Sequence, residues 1–210
     1  MSTAFRQYTP AEAAAVSGIG LKSIHNAIDK QIIEARVASR HRGALTDNEL
    51  LRLKIWYEVG SVLTADRRKR LFDAIRDDPL AATVKADEFL IVDFARAREQ
   101  LATHAQALRE AETIIQSIKG VLGSEPVFKR THVPARAIAA MMAQGATPTE
   151  ILEGYPSISS RMMELAEIWT AAHPARGRPR KLSQQGLTPK LTKRFPLKGH
   201  LMPKASGVSS

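Results

Sequence analysis

Ten residues near the N-terminus, LKSIHNAIDK, run from Leu21 to Lys30. They place Lys22, Ser23, His25 and Asn26 within five positions. These are small or planar hydrogen-bonding groups and one cation. An Asn amide can pair with an adenine edge, and a Lys can meet guanine or a phosphate oxygen. Two more cations, Arg40 and Arg42, flank His41 and suit phosphate oxygens. At the far end, Arg176-Gly177-Arg178-Pro179-Arg180-Lys181 packs four cations into six residues, and Lys190, Lys193 and Arg194 follow. Guanidinium forks of this kind bind phosphates or carboxylates through paired charge-assisted hydrogen bonds.

Groups for catalysis do not assemble in the same way. The His residues stand at 25, 41, 104, 132, 173 and 200. None pairs at i, i+4 with a Glu neighbour, as a helical zinc site of the protease type requires. No Ser sits in a Gly-flanked nucleophile elbow. Gly18-Ile19-Gly20-Leu21-Lys22-Ser23 resembles the end of a phosphate loop, but Leu21 stands where that loop needs Gly before its Lys. Asp77-Asp78, just before Pro79, reads as a solvated helix end. The chain holds no Cys, which excludes disulfides and thiolate metal sites and suits a reducing cytoplasm. The expectation is a protein without an enzymatic site, cofactor or metal.

The elements that would hold these groups announce themselves through their caps. Thr9-Pro10-Ala11-Glu12, Thr46-Asp47-Asn48-Glu49 and Thr147-Pro148-Thr149-Glu150 each pair an N-cap Thr with a Glu three residues on, the reciprocal arrangement that opens a helix. Pro at the first helical position of two of them forfeits nothing. The first helix, about Pro10 to Val16, ends at Ser17-Gly18-Ile19-Gly20. A second, about Leu21 to Lys30, carries Leu21, Ile24 and Ile28 on one stripe, with Lys22, Ser23, His25, Asn26 and Lys30 opposite. Ala14 is small enough to let the two helices approach, and Ile24 fills their angle. Ile33, Ala35 and Val37 alternate as in a half-buried strand, and Arg40–Gly43 reads as a basic loop. A third helix follows with Leu50, Leu53, Trp56 and Tyr57 on one side, stopped by Gly60.

Residues 61–120 read as a charged helix ended by Pro79, one or two strands over Ala82–Phe94 with Asp87 and Glu88 turning, and a long helix giving way to a strand near Glu112–Ile118. This connector could join domains or form a dimer contact. Three short helices then start near Pro134, Thr147 and Ser159. Ile138, Met141, Met142, Ile151, Leu152, Met162, Leu165, Ile168 and Trp169 are their expected core. The fold class is therefore mainly α with short strands: a winged helix-turn-helix over 1–60, a connector over 61–120, a trihelical domain over 121–173 and an extended basic tail over 174–210.

Charge placement sharpens this division. The formal net charge is +10, yet residues 1–172 hold 22 Lys and Arg against 21 Asp and Glu. Residues 173–210 hold 9 Lys and Arg and no acid. A nearly neutral body thus carries an acid-free arm that seeks an anionic surface. Apolar runs such as Phe89–Val92 are far short of a membrane span. The opening MSTAFRQYTPAEAAAV lacks the basic start and apolar stretch of a signal peptide.

Two stretches resemble known families. YTPAEAAAVSGIGLKSIHNAIDKQII is similar to the N-terminal DNA-binding unit of the MerR family, sharing its opening aromatic, Ala-Ala pair, Ser-Gly turn and closing Ile-Ile. That resemblance implies a recognition helix carrying Lys22, Ser23, His25 and Asn26, a wing carrying Arg40 and Arg42, and a dimer on operator DNA. The stretch Gly123–Pro156 resembles the VapB-like antitoxin domain of bacterial toxin–antitoxin pairs, formerly a domain of unknown function. Pro126-Val127-Phe128-Lys129-Arg130-Thr131-His132-Val133-Pro134 follows that family's opening, with Arg130 in place of Gly and His132 in place of Arg. If the Gly serves a left-handed backbone, Arg130 is at odds with the turn. The resemblance implies a partner toxin, a PIN-like ribonuclease with an acidic metal cluster, and repression of the antitoxin's own operon.

The tail then admits three readings. It is a solvated arm; or Arg176–Arg180 is an AT-hook lying in a minor groove; or the arm captures the toxin. Leu182, Leu187, Leu191, Phe195, Leu197 and Leu201 interleave the cations, and anchors of this kind serve a protein surface rather than a groove. The expected toxin-binding set is Arg176, Arg178, Arg180, Lys181, Leu187, Lys190, Leu191, Lys193, Arg194 and Phe195. The expected function is a cytoplasmic antitoxin, a homodimer or a hetero-oligomer with its toxin and free of membranes. The alternative is a stand-alone DNA-binding regulator with an AT-hook-like tail.

Overall fold

The first helix, α1 (Pro10–Ser17), opens on a complete capping box. The Thr9 backbone N–H donates to Glu12 Oε2 at 2.6 Å and the Glu12 N–H returns to Thr9 Oγ1 at 3.3 Å. The turn closes at Gly18, left-handed at φ 73°, whose N–H donates to the Ala14 carbonyl. Helix α2 (Leu21–Asp29) follows after two residues. The computed structural model describes residues 6–33, 36–38, 41–78, 80–86, 88–117 and 125–175.

Strands β1 (Arg36–Ala38) and β2 (His41–Ala44) form an antiparallel hairpin after α2. This corrects two expectations. The stretch expected as a basic loop is mostly strand β2. Ile33 lies not in β1 but in the turn after α2, buried in the core. Composition pointed to a loop because His-Arg-Gly has little strand propensity; pairing with Arg36–Ala38 overrides it. Helix α3 (Asp47–Glu58) has the second capping box, at Thr46 and Glu49. It buries Leu50, Leu51, Leu53 and Ile55, while Tyr57 lies on the exposed side. A single 3-10 turn, Gly60–Val62, leads to α4 (Ala65–Asp77).

The connector is a hairpin and a long helix. Strands β3 (Thr83–Lys85) and β4 (Ile91–Asp93) pair antiparallel, and α5 (Phe94–Ile114) runs 21 residues, about 31 Å. It passes straight into β5 (Ile115–Ser117), which pairs with β6 (Pro126–Phe128). Helices α6 (Ala135–Ala143), α7 (Pro148–Gly154) and α8 (Ser160–Ala172) complete the described chain. Among the described residues the fold is thus eight α-helices and three two-stranded antiparallel sheets.

Two apolar clusters share α5 and α8. Tyr8, Val16, Ile24, Leu45, Leu50, Leu53, Leu71, Phe94 and Leu108 belong to the first, which Ala172 joins from the end of α8. Phe128, Ile138, Ile151, Ile158, Met163, Leu165 and Trp169 form the second, with Ala111 and Ile115. Met163 takes the buried place expected of Met162, which is only partly covered. Helix α1 packs on both α5 and α8, and the described residues up to Pro174 make one compact unit. No described helix is long and apolar enough to cross a membrane.

Candidate nucleic-acid interface

Helix α2 has an inner and an outer face. Ile24 and Ala27 are fully buried and Ile28 partly so, against α1 and its surroundings. Lys22, His25, Asn26 and Asp29 are exposed. Their spacing of i, i+3, i+4 and i+7 makes one stripe along the outer surface. Ser23 is half-buried at the stripe's edge, and its carbonyl accepts a 2.8 Å hydrogen bond from the Tyr57 hydroxyl of α3. That bond ties the first turn of α2 to the end of α3. The helix starts at Gly20 with no side-chain cap, so its first N–H groups and the positive end of its dipole are open to an anion. Lys22 sits in this first turn. Asp29, at the other end of the stripe, opposes an approaching phosphate and keeps the face only mildly basic.

The support behind the stripe is hydrogen-bonded and apolar. Tyr8 N–H and C=O exchange bonds of 2.8 and 2.9 Å with Leu45, joining the entry of α1 to the exit of the β1–β2 hairpin. The buried Tyr8 hydroxyl donates to Asp47 Oδ1 at 3.1 Å. Burial first, then the Asp47 charge, pushes its pKa up to about 12. Arg6 stacks its guanidinium 5.2 Å above the Tyr8 ring and donates to Glu112 at 2.6 Å. That bond holds the guanidinium pKa above its ordinary value. The Ser17 hydroxyl donates back to the Ala13 carbonyl at 2.6 Å, so its burial leaves it satisfied.

The described residues also bring Glu12, Glu112 and His173 together, with ligand-type atoms within 4.8 Å of one another. Arg6 already lies against both carboxylates, at 3.4 and 2.6 Å. His173 Nδ1 meets the Trp169 carbonyl at 3.0 Å. The two negative charges are therefore met by a fixed guanidinium, and the set works as a clasp between α1, α5 and the end of α8.

Of the residues expected to contact DNA, the structure gathers Lys22, Ser23, His25 and Asn26 on α2. The backbone of Arg42 lies in β2, while its side chain and the whole of Arg40 lie outside the described residues. So do all the tail residues expected to bind a toxin, from Arg176 to Phe195. The turn between β6 and α6 holds Arg130 and His132, the two departures from the family motif. It projects Lys129, Arg130 and His132 to solvent, and Arg130 adopts the left-handed backbone with φ 64°. The turn is therefore kept without its glycine. The Thr131 N–H and hydroxyl both donate to the Phe128 carbonyl at 3.0 Å, and the Lys129 N–H donates to Ile114 at 2.7 Å.

Comparison with known proteins adds two findings. Residues 115–166, from β5 into α8, match the family model described as a protein of unknown function, DUF433. The chain is 30% identical over 183 residues to the uncharacterized protein y4eO of Sinorhizobium fredii (strain NBRC 101917 / NGR234), across 80% of this chain and 82% of that one. No solved structure matches it at a significant level. Similarity of that extent places the chain in the family of y4eO.

Proposed function

We propose that this chain is the antitoxin of a type II toxin–antitoxin pair, one that binds its own operator and inhibits a PIN-like ribonuclease. The observation that carries the DNA part is the exposed stripe Lys22, His25 and Asn26 on a helix held rigidly by α1 and α3. A short polar helix, open at its N-terminus and backed by a buried apolar face, is what a major groove accepts. In this reading α1 and α2 are the helix-turn-helix, the β1–β2 hairpin is its wing, and Arg40 and Arg42 reach phosphates. The acid-free arm beyond Pro174 is the toxin-binding element. Its cations enter the toxin's carboxylate cluster and its Leu and Phe residues anchor it. The match to AT-hook cores at Arg176–Arg180 favours a second reading, a regulator acting alone through DNA.

Both parts are open to direct measurement. Lys22→Ala with Asn26→Ala weakens binding to the operon's own promoter by about 10- to 100-fold. Unchanged affinity removes α2 as the reading helix. A chain ending at Ala175 no longer neutralises the ribonuclease encoded beside it, yet keeps promoter binding. Neutralisation by the shortened chain defeats the tail assignment, and loss of promoter binding instead favours the hook.

A further inference from the structure

The hairpin between α4 and α5 places large apolar side chains in water. Phe89 is 90% exposed, Ile91 66% and Leu80 86%. Phe89 and Ile91 are two residues apart, at the turn and at the start of β4. The register explains Ile91. Val84 pairs with Val92, and this pair faces inward, with Val92 buried and Val84 packed on the core. Lys85 pairs with Ile91 and Thr83 with Asp93. Alternation therefore puts Thr83, Lys85, Ile91 and Asp93 on the outward face. A folded chain rarely strands an aromatic and a branched aliphatic side chain together without a partner surface.

Beside this protrusion lies a receptacle. A cleft of about 340 Å³ runs between β4, α3 and α5, with Ile55, Val59, Leu90, Val92 and Ala97 among its walls. Glu58, Asp93 and Arg96 stand exposed around it. Knob and hole thus sit on one face of one chain, the condition for an isologous two-fold contact in which each copy fills the other. The charges fit the same operation. Lys85 and Asp93 share the outward face with opposite sign, so a two-fold axis passing between them sets Lys85 of each copy against Asp93 of the other.

We propose that the occupant of this cleft is a second copy of the same chain, each copy inserting its Phe89 between β4 and α3 of the other. An aromatic centre ringed by charged groups is the usual anatomy of a specific interface. The proposal rests on the hairpin and cleft alone and holds whether or not the chain reads DNA.

The test uses the full chain without nucleic acid. Sedimentation velocity of the wild type gives a dimer. Phe89→Asp raises the dimer dissociation constant by about 30-fold or more while leaving the thermal midpoint of the dissociated chain unchanged, because Phe89 makes no buried contact within its own chain. Since the chain has no Cys, Phe89→Cys and Val59→Cys each create a single thiol. Mixed and treated with a short bismaleimide, they form a covalent heterodimer far faster than Phe89→Cys mixed with Glu153→Cys on exposed α7. A wild type that stays monomeric at every concentration overturns the proposal. So does a dimer that Phe89→Asp leaves intact, or cross-linking no faster than the control.

Discussion

Tyr8 shows how much a single side chain depends on its surroundings. In the unfolded chain its hydroxyl titrates near 10; in the fold, burial and Asp47 raise this to about 12. Below pH 10 both states keep the proton and the full stability is present. Between pH 10 and 12 the unfolded chain releases it and the folded chain does not, so stability is lost as pH rises through that window. The wild type should therefore lose urea resistance relative to Tyr8→Phe above pH 10, with a constant difference below it. Parallel curves across pH 9–11.5 would show that the hydroxyl is not held as described. Arg130 makes the complementary point about backbone. A non-glycine residue in the left-handed region costs about 1 kcal/mol, and hydrogen bonds from Lys129 and Thr131 hold the turn there.

Helix ends are the features of the elements most readily read in sequence. All three Thr-x-x-Glu openings form capping boxes, because the partners lie three residues apart and need no tertiary help. Closings are less uniform. At α6 the N–H of Ala146 returns to the Met141 carbonyl and that of Gly145 to Met142, with Gly145 at φ 90°. At α2 the same pair of bonds runs from Ile32 to Ala27 and from Gln31 to Ile28, but Gln31 is the left-handed residue, at φ 54°. One motif is thus built once with glycine and once without. A methyl group at Gly145 would meet nothing within 4 Å, so Gly145→Ala reports backbone strain alone and should cost about 1 kcal/mol. Gln31→Gly should stabilise by about 0.5 kcal/mol or more. Chemical denaturation midpoints that move the other way would contradict the shared geometry.

The whole molecule is organised by α5 and α8 rather than by order along the chain. Arg6 reaches Glu112, 106 positions away, and Arg161 of α8 reaches Glu110 at 2.6 Å. That second pair raises the guanidinium pKa and lowers the carboxyl pKa; both groups are exposed, so it orients the helices more than it stabilises them. The stronger coupling is apolar. Ile168 packs on both clusters, and α1 rests on α8. A candidate reading helix and a family segment that share two helices should unfold together. Urea denaturation followed by Trp fluorescence and by far-ultraviolet circular dichroism should give coincident single transitions; separated transitions would mean that the clusters are independent.

Local chemistry was sufficient for the capping boxes, for the inward stripe of α2 with Lys22, His25 and Asn26 on its other side, for the strand that follows α5 at Ile115–Ser117, and for the division of charge between body and arm. Each depends on residues a few positions apart, or on counting. The exposed side of Tyr57, the strand at His41–Ala44, the burial of Met163 in place of Met162 and the Arg6 clasp on Glu12 and Glu112 depend on partners brought from elsewhere in the chain. The cleft between β4 and α3 belongs with them: its walls come from three elements, and Phe89 stands beside it only because the hairpin register turns Val84 and Val92 inward. Spacing along the chain sets the faces of an element, and only tertiary packing decides which face is covered and by what.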